Sequence, residues 1–185
     1  MIAVAVPRAD LIDRCVAGDC QAWAELHRLY RPQALAFLRR LGVGPREAED
    51  ACQEIFLQVF RYLGRFERRS EFRTWLYKLC LSQAERLRRR AVLLGPLTWL
   101  RRRFGEPAAL PEWSETRAHE LVEGALHALP APQRQVCVLF ELEGLPTAEI
   151  ARLLGRPGAS VRRQLHEARA RFERFVRDQP LRGRR

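Results

Sequence analysis

At 185 residues, with 47% hydrophobic and 30% charged side chains, the chain has the make-up of a folded protein of one ordinary domain or two small ones, which excludes a purely disordered polymer. Its 33 basic and 22 acidic side chains leave a formal charge of +11, which favours a polyanionic partner, nucleic acid first. No run approaches the ~20 apolar residues that span a bilayer, and the opening MIAVAVPRAD lacks the basic leader of a signal peptide, so a cytoplasmic protein without membrane insertion is expected.

The positive surplus is spread along the chain, and every cation except Lys78 is Arg. A genome rich in G and C produces that bias, and so does selection for guanidinium forks that grip phosphate. Cys15, Cys20, Cys52, Cys80 and Cys137 show neither CxxC spacing nor a nearby His, so they read as reduced thiols rather than zinc ligands.

Apolar residues recur at three-and-four spacing through most of the chain, which predicts an all-α protein with two groups of helices. The first group begins near Ala22 with the stripe Trp23, Leu26, Leu29 and Tyr30, and continues after Pro32, an expected kink or break, through Leu35, Leu38 and Leu41. Gly42 and Gly44 end that segment. Pro45 suits the first turn of the next helix, whose apolar side carries Ala48, Ala51, Cys52, Ile55, Phe56, Val59 and Leu63. After an Arg-rich loop, Ser70 is the expected cap of a helix containing Phe72, Trp75, Leu76, Leu79 and Gln83 that ends around Arg88, Arg89 and Arg90.

Between Ala91 and Trp113, Gly95, Pro96, Gly105, Pro107 and Pro111 accumulate, the mark of a linker. Its piece Leu97 to Phe104 sets Leu97, Trp99, Leu100 and Phe104 beside three arginines, a pattern open to two readings: a short amphipathic helix for a partner or membrane, or a linker packing on its own domains. The second group runs from about His119 to Arg177 as four helices, punctuated by Pro130 and Pro132, by Gly144 and Pro146, and by Gly155, Pro157 and Gly158. The loops are short enough for a compact bundle.

Within that group, GLPTAEIARLLGRPGASVRRQLHEARARF has the form of a helix-turn-helix, two short helices about a tight turn with the second free to enter the major groove of DNA. Ile150, Leu153 and Leu154 face inward from the first helix, and Val161, Leu165 and Ala168 from the second. Ser160, Arg162, Arg163, Gln164, His166 and Arg169 are then left to address phosphates and base edges. A plain bundle with a solvated Arg face fits the charge equally well; the turn and the helix lengths favour DNA.

These residues resemble a family. LPAPQRQVCVLFELEGLPTAEIARLLGRPGASVRRQLHEARARF is similar to region 4 of the extracytoplasmic-function (ECF) sigma factors, bacterial transcription initiation factors of the sigma-70 type. AEDACQEIFLQVFRYLGRF followed by SEFRTWLYKL resembles their region 2. The resemblance covers roughly residues 10 to 176 and implies region 2 over 10–90, a linker over 91–117, region 4 over 118–177 and a basic tail over 178–185.

It also implies partners: core RNA polymerase, through the clamp helices of its beta-prime subunit and its beta flap, promoter DNA, and an anti-sigma factor. Asp50, Gln53, Glu54 and Leu57 correspond to the polymerase-binding surface. Glu47, Asp50 and Glu54 share one helix face, an acidic stripe that on spacing alone could also be merely solvated. Phe66, Arg68, Arg69, Ser70, Arg73, Lys78 and Ser82 correspond to the region that opens and reads the minus-ten element, where aromatics beside cations suit unstacked bases. Trp75 is open to a stacking role or a core role, with core favoured. Ser160, Arg162, Arg163, Gln164, His166 and Arg169 correspond to minus-thirty-five contacts.

The chain departs from the family in places. Ser82 and Leu81 stand where many relatives carry Asn preceded by Arg, so a minus-ten preference does not transfer. Pro146 then Thr147 replaces the usual Ser cap, and Gly158 and Ala159 replace the usual Val-Gly order of the turn, a change able to shift the recognition helix.

His27, His119, His127 and His166 are scattered and complete no triad, metal cluster or phosphate loop, so no catalytic residue, metal or cofactor is expected. A stand-alone helix-turn-helix regulator explains the C-terminal motif equally well. It leaves the acidic helix and the aromatic, basic loop unexplained. A paralogue that has lost DNA binding is the third reading, prompted by Ser82 and Pro146.

Overall fold

The computed structural model describes residues 9–68, 70–93 and 114–178, and every regular element among them is helical. Two compact units result, the first essentially the stretch up to Leu87 and the second from Arg88 onward. The interior of the expected linker, with Leu97 to Phe104, and the tail beyond Asp178 lie outside the described residues.

The first unit opens with a helix the periodicity argument starts too late to include, α1 (Ala9–Val16). It is eight residues long and buries Leu11, Ile12 and Cys15 on one side. Gly18, at φ +90°, turns the chain, and Asp19 starts α2 (Cys20–Arg40): its Oδ1 accepts from the N–H groups of Gln21 (2.8 Å) and Ala22 (3.2 Å), while its carbonyl accepts from Trp23. Arg14 pairs with the same carboxylate at 2.6 Å, and that hydrogen bond chiefly, with the capping N–H groups, holds the Asp19 carboxyl below its ordinary pKa.

Pro32 does not break α2, contrary to the expectation from its ring. The proline faces solvent, while Leu26, Tyr30, Ala34, Leu35, Phe37 and Leu38 are buried on the opposite side, so packing on both sides of the proline holds one continuous helix. Gln33 adds a side-chain bond to the Leu29 carbonyl at 3.2 Å, next to the carbonyl that Pro32 leaves without an N–H donor. Gly42, at φ +89°, ends the segment as the spacing predicts, with Val43 N–H reaching back to the Leu38 carbonyl.

Helix α3 (Pro45–Tyr62) begins with Pro45 in its first turn behind Gly44, and buries Ala48, Ala51, Cys52, Ile55 and Val59. A single 3-10 turn, Leu63–Arg65, follows. Helix α4 (Phe72–Leu93) outruns the arginines expected to end it by three residues. Its cap also differs from the expected Ser70: the Glu71 carbonyl accepts the first helical bond, from Trp75 N–H at 3.2 Å, and Ser70 lies one residue outside. An acidic side chain there complements the helix dipole. Phe37 stacks on Tyr77 with ring centroids 4.3 Å apart, fixing α2 against α4.

Among the described residues from Ser114 onward the second unit has four α-helices, the number expected from about His119 to Arg177, although the first starts earlier: α5 (Ser114–Ala128), α6 (Ala131–Cys137), α7 (Thr147–Leu154) and α8 (Gly158–Asp178). Arg134 on α6 donates to the carbonyls of His127 (2.8 Å) and Leu129 (3.0 Å), satisfying the end of α5. Helix α6 runs into a wider π turn, Val138–Leu142, before Gly144, at φ +70°, releases the chain towards α7. The core is Ala125, Leu126, Leu129, Val136, Val138, Leu139, Leu145, Ile150, Val161, Leu165 and Ala168.

Candidate nucleic-acid interface

The two faces of α3 differ in kind. Glu49, on its flank, is drawn to α2 by Arg31 and Arg39, whereas Asp50 and Glu54 form no ion pair among the described residues. Asp50, Gln53 and Leu57 are exposed and Glu54 half-buried, with Leu57 52% and Phe60 63% accessible. Helical periodicity thus presents carboxylates and exposed apolar groups together, opposite the buried Ile55 and Val59. Phe60 rests its ring 4.9 Å from Trp23, and Phe56 lies 4.7 Å from His27. An exposed strip of carboxylates and large apolar side chains is the composition of a protein-docking surface.

Between α3 and α4 the chain makes an aromatic cluster. Phe72 is buried, edge-on to Tyr30 at 4.7 Å; Phe66 and Trp75 lie above it, half-buried, with centroids 5.4 Å apart. Trp75 therefore packs on its neighbours and still keeps an accessible side, so the core and stacking roles are not exclusive. Burial pushes the Tyr30 phenol up to about 12, so it stays neutral under the cluster.

The cations of this region are distributed unequally. Arg68 has a positive φ of 54° and pairs with Asp13 of α1, which fastens the loop to the first helix. Arg73 lies largely under cover with its guanidinium over the Tyr77 ring at 6.0 Å, and Glu71 is 3.9 Å away. Ser70, Lys78 and Ser82 are exposed, the last two on the outer side of α4; Arg69 lies outside the described residues. Accessible aromatic faces next to exposed cations are what single-stranded nucleic acid requires.

In the second unit α7 ends on Gly155, at φ +61°, with the N–H groups of Gly155 and Arg156 bonded back to the carbonyls of Arg152 (3.3 Å) and Ala151 (3.0 Å). That left-handed closure supplies the tight turn. Pro146 occupies the position before α7 with no side-chain cap, and Gly158 opens α8. Ile150 is buried and Leu153 and Leu154 partly so; Val161, Leu165 and Ala168 are buried, as the spacing predicts. The complementary face of α8 carries Arg162, Arg163 and His166 into solvent.

Two of the expected contacts are not simply exposed. Gln164 accepts from Arg156 at 3.0 Å, and Arg169 pairs with Glu141 at 2.7 Å with its guanidinium over the Phe140 ring. Ser160 is half-buried, and Arg163 lies 3.9 Å from Glu167. Asp13, Glu141 and Arg156 were invisible to the sequence argument because each acts on a residue from another element, and helical spacing carries no signal for that.

The comparisons agree with this arrangement. A model described as Sigma-70 region 2 matches residues 26–92, and one described as Sigma-70, region 4 matches residues 119–172. The chain is 30% identical to the RNA polymerase sigma-H factor of Pseudomonas aeruginosa, covering 92% of this chain and 93% of that one. It is 29% identical to the ECF RNA polymerase sigma factor SigM of Mycobacterium tuberculosis, over 91% of this chain and 84% of the other. Its fold is similar to that of the sigma factor RpoE, solved with the anti-sigma factor NepR from Bartonella quintana, with a TM-score of 0.69, 20% identity, and coverage of 84% and 97%. With region 2 and region 4 in order along one all-helical chain, and no catalytic role in such subunits, this protein belongs to the ECF sigma factors of the sigma-70 family, which equip RNA polymerase to initiate transcription.

Proposed function

We propose that the chain bridges core polymerase and promoter DNA with three surfaces, and the observation that carries this is the outward strip of α3. Asp50, Gln53, Glu54 and Leu57 dock on the clamp helices of the beta-prime subunit. The carboxylates, which form no ion pair among the described residues, attract a basic partner face, and Leu57 supplies apolar area beside them. Residues 10–90 act as region 2 and 118–177 as region 4, joined by 91–117 and followed by a basic tail; region 4 also meets the beta flap.

Phe66, Arg68, Arg69, Ser70, Arg73, Lys78 and Ser82 engage the opened minus-ten element. The half-buried rings of Phe66 and Trp75 and the exposed Lys78 support this assignment, since bases stack on accessible aromatic faces and an ammonium neutralises phosphate. Ser160, Arg162, Arg163, Gln164, His166 and Arg169 engage the minus-thirty-five duplex. Recognition helices present their first turns to base edges, and Arg162 and Arg163 are solvent-facing in that part of α8.

An anti-sigma factor holds the free protein in check; the solved RpoE complex with NepR supports that reading by likeness. Recovery of the chain from unstressed cells only alone or with core polymerase would remove it.

Run-off transcription with purified core polymerase tests the main reading. The chain directs starts at a defined promoter, whereas a duplex-only regulator gives none. Replacing Asp50 and Glu54 together with Lys lowers core association by about a hundredfold. Unchanged association would sink the α3 assignment.

A further inference from the structure

The turn of the helix-turn-helix holds a side-chain relay. Arg156 follows Gly155 and is half-buried; its Nη1 donates to Gln164 Oε1 on α8 at 3.0 Å and its Nη2 donates to Gln135 Oε1 on α6 at 2.9 Å. A guanidinium has donors only, so both amides are obliged to turn their oxygens towards it. The amide orientation, ordinarily ambiguous, is fixed here by chemistry. Gln164 Nε2 is thereby turned away from the arginine, and its hydrogens meet no acceptor among the described residues.

A free Gln pairs bidentately with adenine, accepting from N6 and donating to N7. With a cation against Oε1, an approaching N6 amino group brings its partial positive hydrogens towards a guanidinium and is repelled. An acceptor-only edge, guanine with O6 and N7, is attracted by the same cation and takes the Nε2 hydrogens.

We infer that Arg156 is a specificity-positioning residue: by holding the Gln164 carbonyl, it makes Gln164 a donor that reads guanine, rather than adenine, at one base pair of the minus-thirty-five element. This deepens the proposed reading of α8 and rests on it. Arg156 need not touch a base; its action is exerted through the orientation of Gln164. The bridge to Gln135 keeps the guanidinium on this flank of α8.

The test is transcription and binding by full-length holoenzyme on promoters in which each minus-thirty-five position is varied through all four bases. Arg156→Met removes the donors while keeping an unbranched apolar stem. One position changes its preference, adenine gaining about tenfold on guanine. Gln164→Glu keeps an acceptor for Arg156 and loses the NH2 group, so the preference for guanine at that position is lost, in favour of bases that present an amino group, while the melting temperature holds.

Arg156→Met has no effect on base preference in a Gln164→Ala background. Unaltered base preference in Gln164→Glu overturns the inference, and so does a uniform loss across all sequences in Arg156→Met that leaves the preference intact. Arg162→Ala separates this from the parent reading. If it weakens minus-thirty-five dependence while Gln164→Glu shifts nothing, the relay alone fails; if neither matters, α8 is not the reader.

Discussion

Asp19 joins two functions in one carboxylate: it starts α2 and receives Arg14. Its pKa is depressed in the folded state, so the stability it contributes is present above the ordinary carboxylate value, about 3.9, and is lost as pH falls through the lower folded value. Asp19→Ala therefore lowers the melting temperature at neutral pH, and the gap from the parent narrows as the solution is acidified below about pH 4. Asp19→Asn, which still caps, gives a smaller loss. A gap independent of pH would show that the charge contributes nothing. Gly155 offers a cleaner measurement, because an added Cβ meets no atom within 4 Å and only the backbone at φ +61° resists it. Gly155→Ala costs about 1 kcal/mol in denaturant unfolding.

At the scale of the helix, sequence pattern is most informative where burial follows local periodicity. Helix α3 and the pair α7 and α8 were legible for that reason: Ile55, Val59, Ile150, Val161 and Leu165 are apolar, correctly spaced and buried. Deleting the heart of such a stripe is severe, and Ile55→Ala, at a site with no solvent exposure, loses about 2 to 5 kcal/mol by denaturant titration. Helix α1 went unread because eight residues give barely two turns of period, and its signal is only Leu11, Ile12 and Cys15. Pro32 misled because propensity describes an isolated helix, while here the buried residues on both sides of it decide the outcome. The proline still removes a backbone donor, so Pro32→Ala raises stability, by about 1 kcal/mol or more. Among the site residues, the outward face of α3 and the arginines of α8 were legible as charges at helical spacing. The holding of Gln164 by Arg156, of Arg169 by Glu141 and of Arg68 by Asp13 was not, since each depends on the tertiary path of the chain.

Across the whole molecule, the +11 charge coexists with an acidic strip on α3, so one protein carries two electrostatic tasks of opposite sign. Promoter binding by the holoenzyme weakens as salt rises, because phosphate contacts release counterions. Removing Arg162 and Arg163 together lowers the slope of log affinity against log salt by about 2, which a salt titration reads directly. An unchanged slope would mean that neither arginine meets phosphate.

The burial of the cysteines has a practical consequence. Cys15, Cys52 and Cys80 are sealed in the first unit and Cys137 in the second, while Cys20 is exposed. Burial raises the Cys52 thiol to about 11 and also lifts Cys15 and Cys137, so none of these three forms a thiolate readily in the folded protein. A thiol-alkylating reagent therefore marks Cys20 at once and reaches the others only when the surrounding helices open. With Cys20 replaced by Ser, the rate at which Cys137 is labelled becomes a clock for breathing of the DNA-reading bundle, running beside three further clocks in the same molecule.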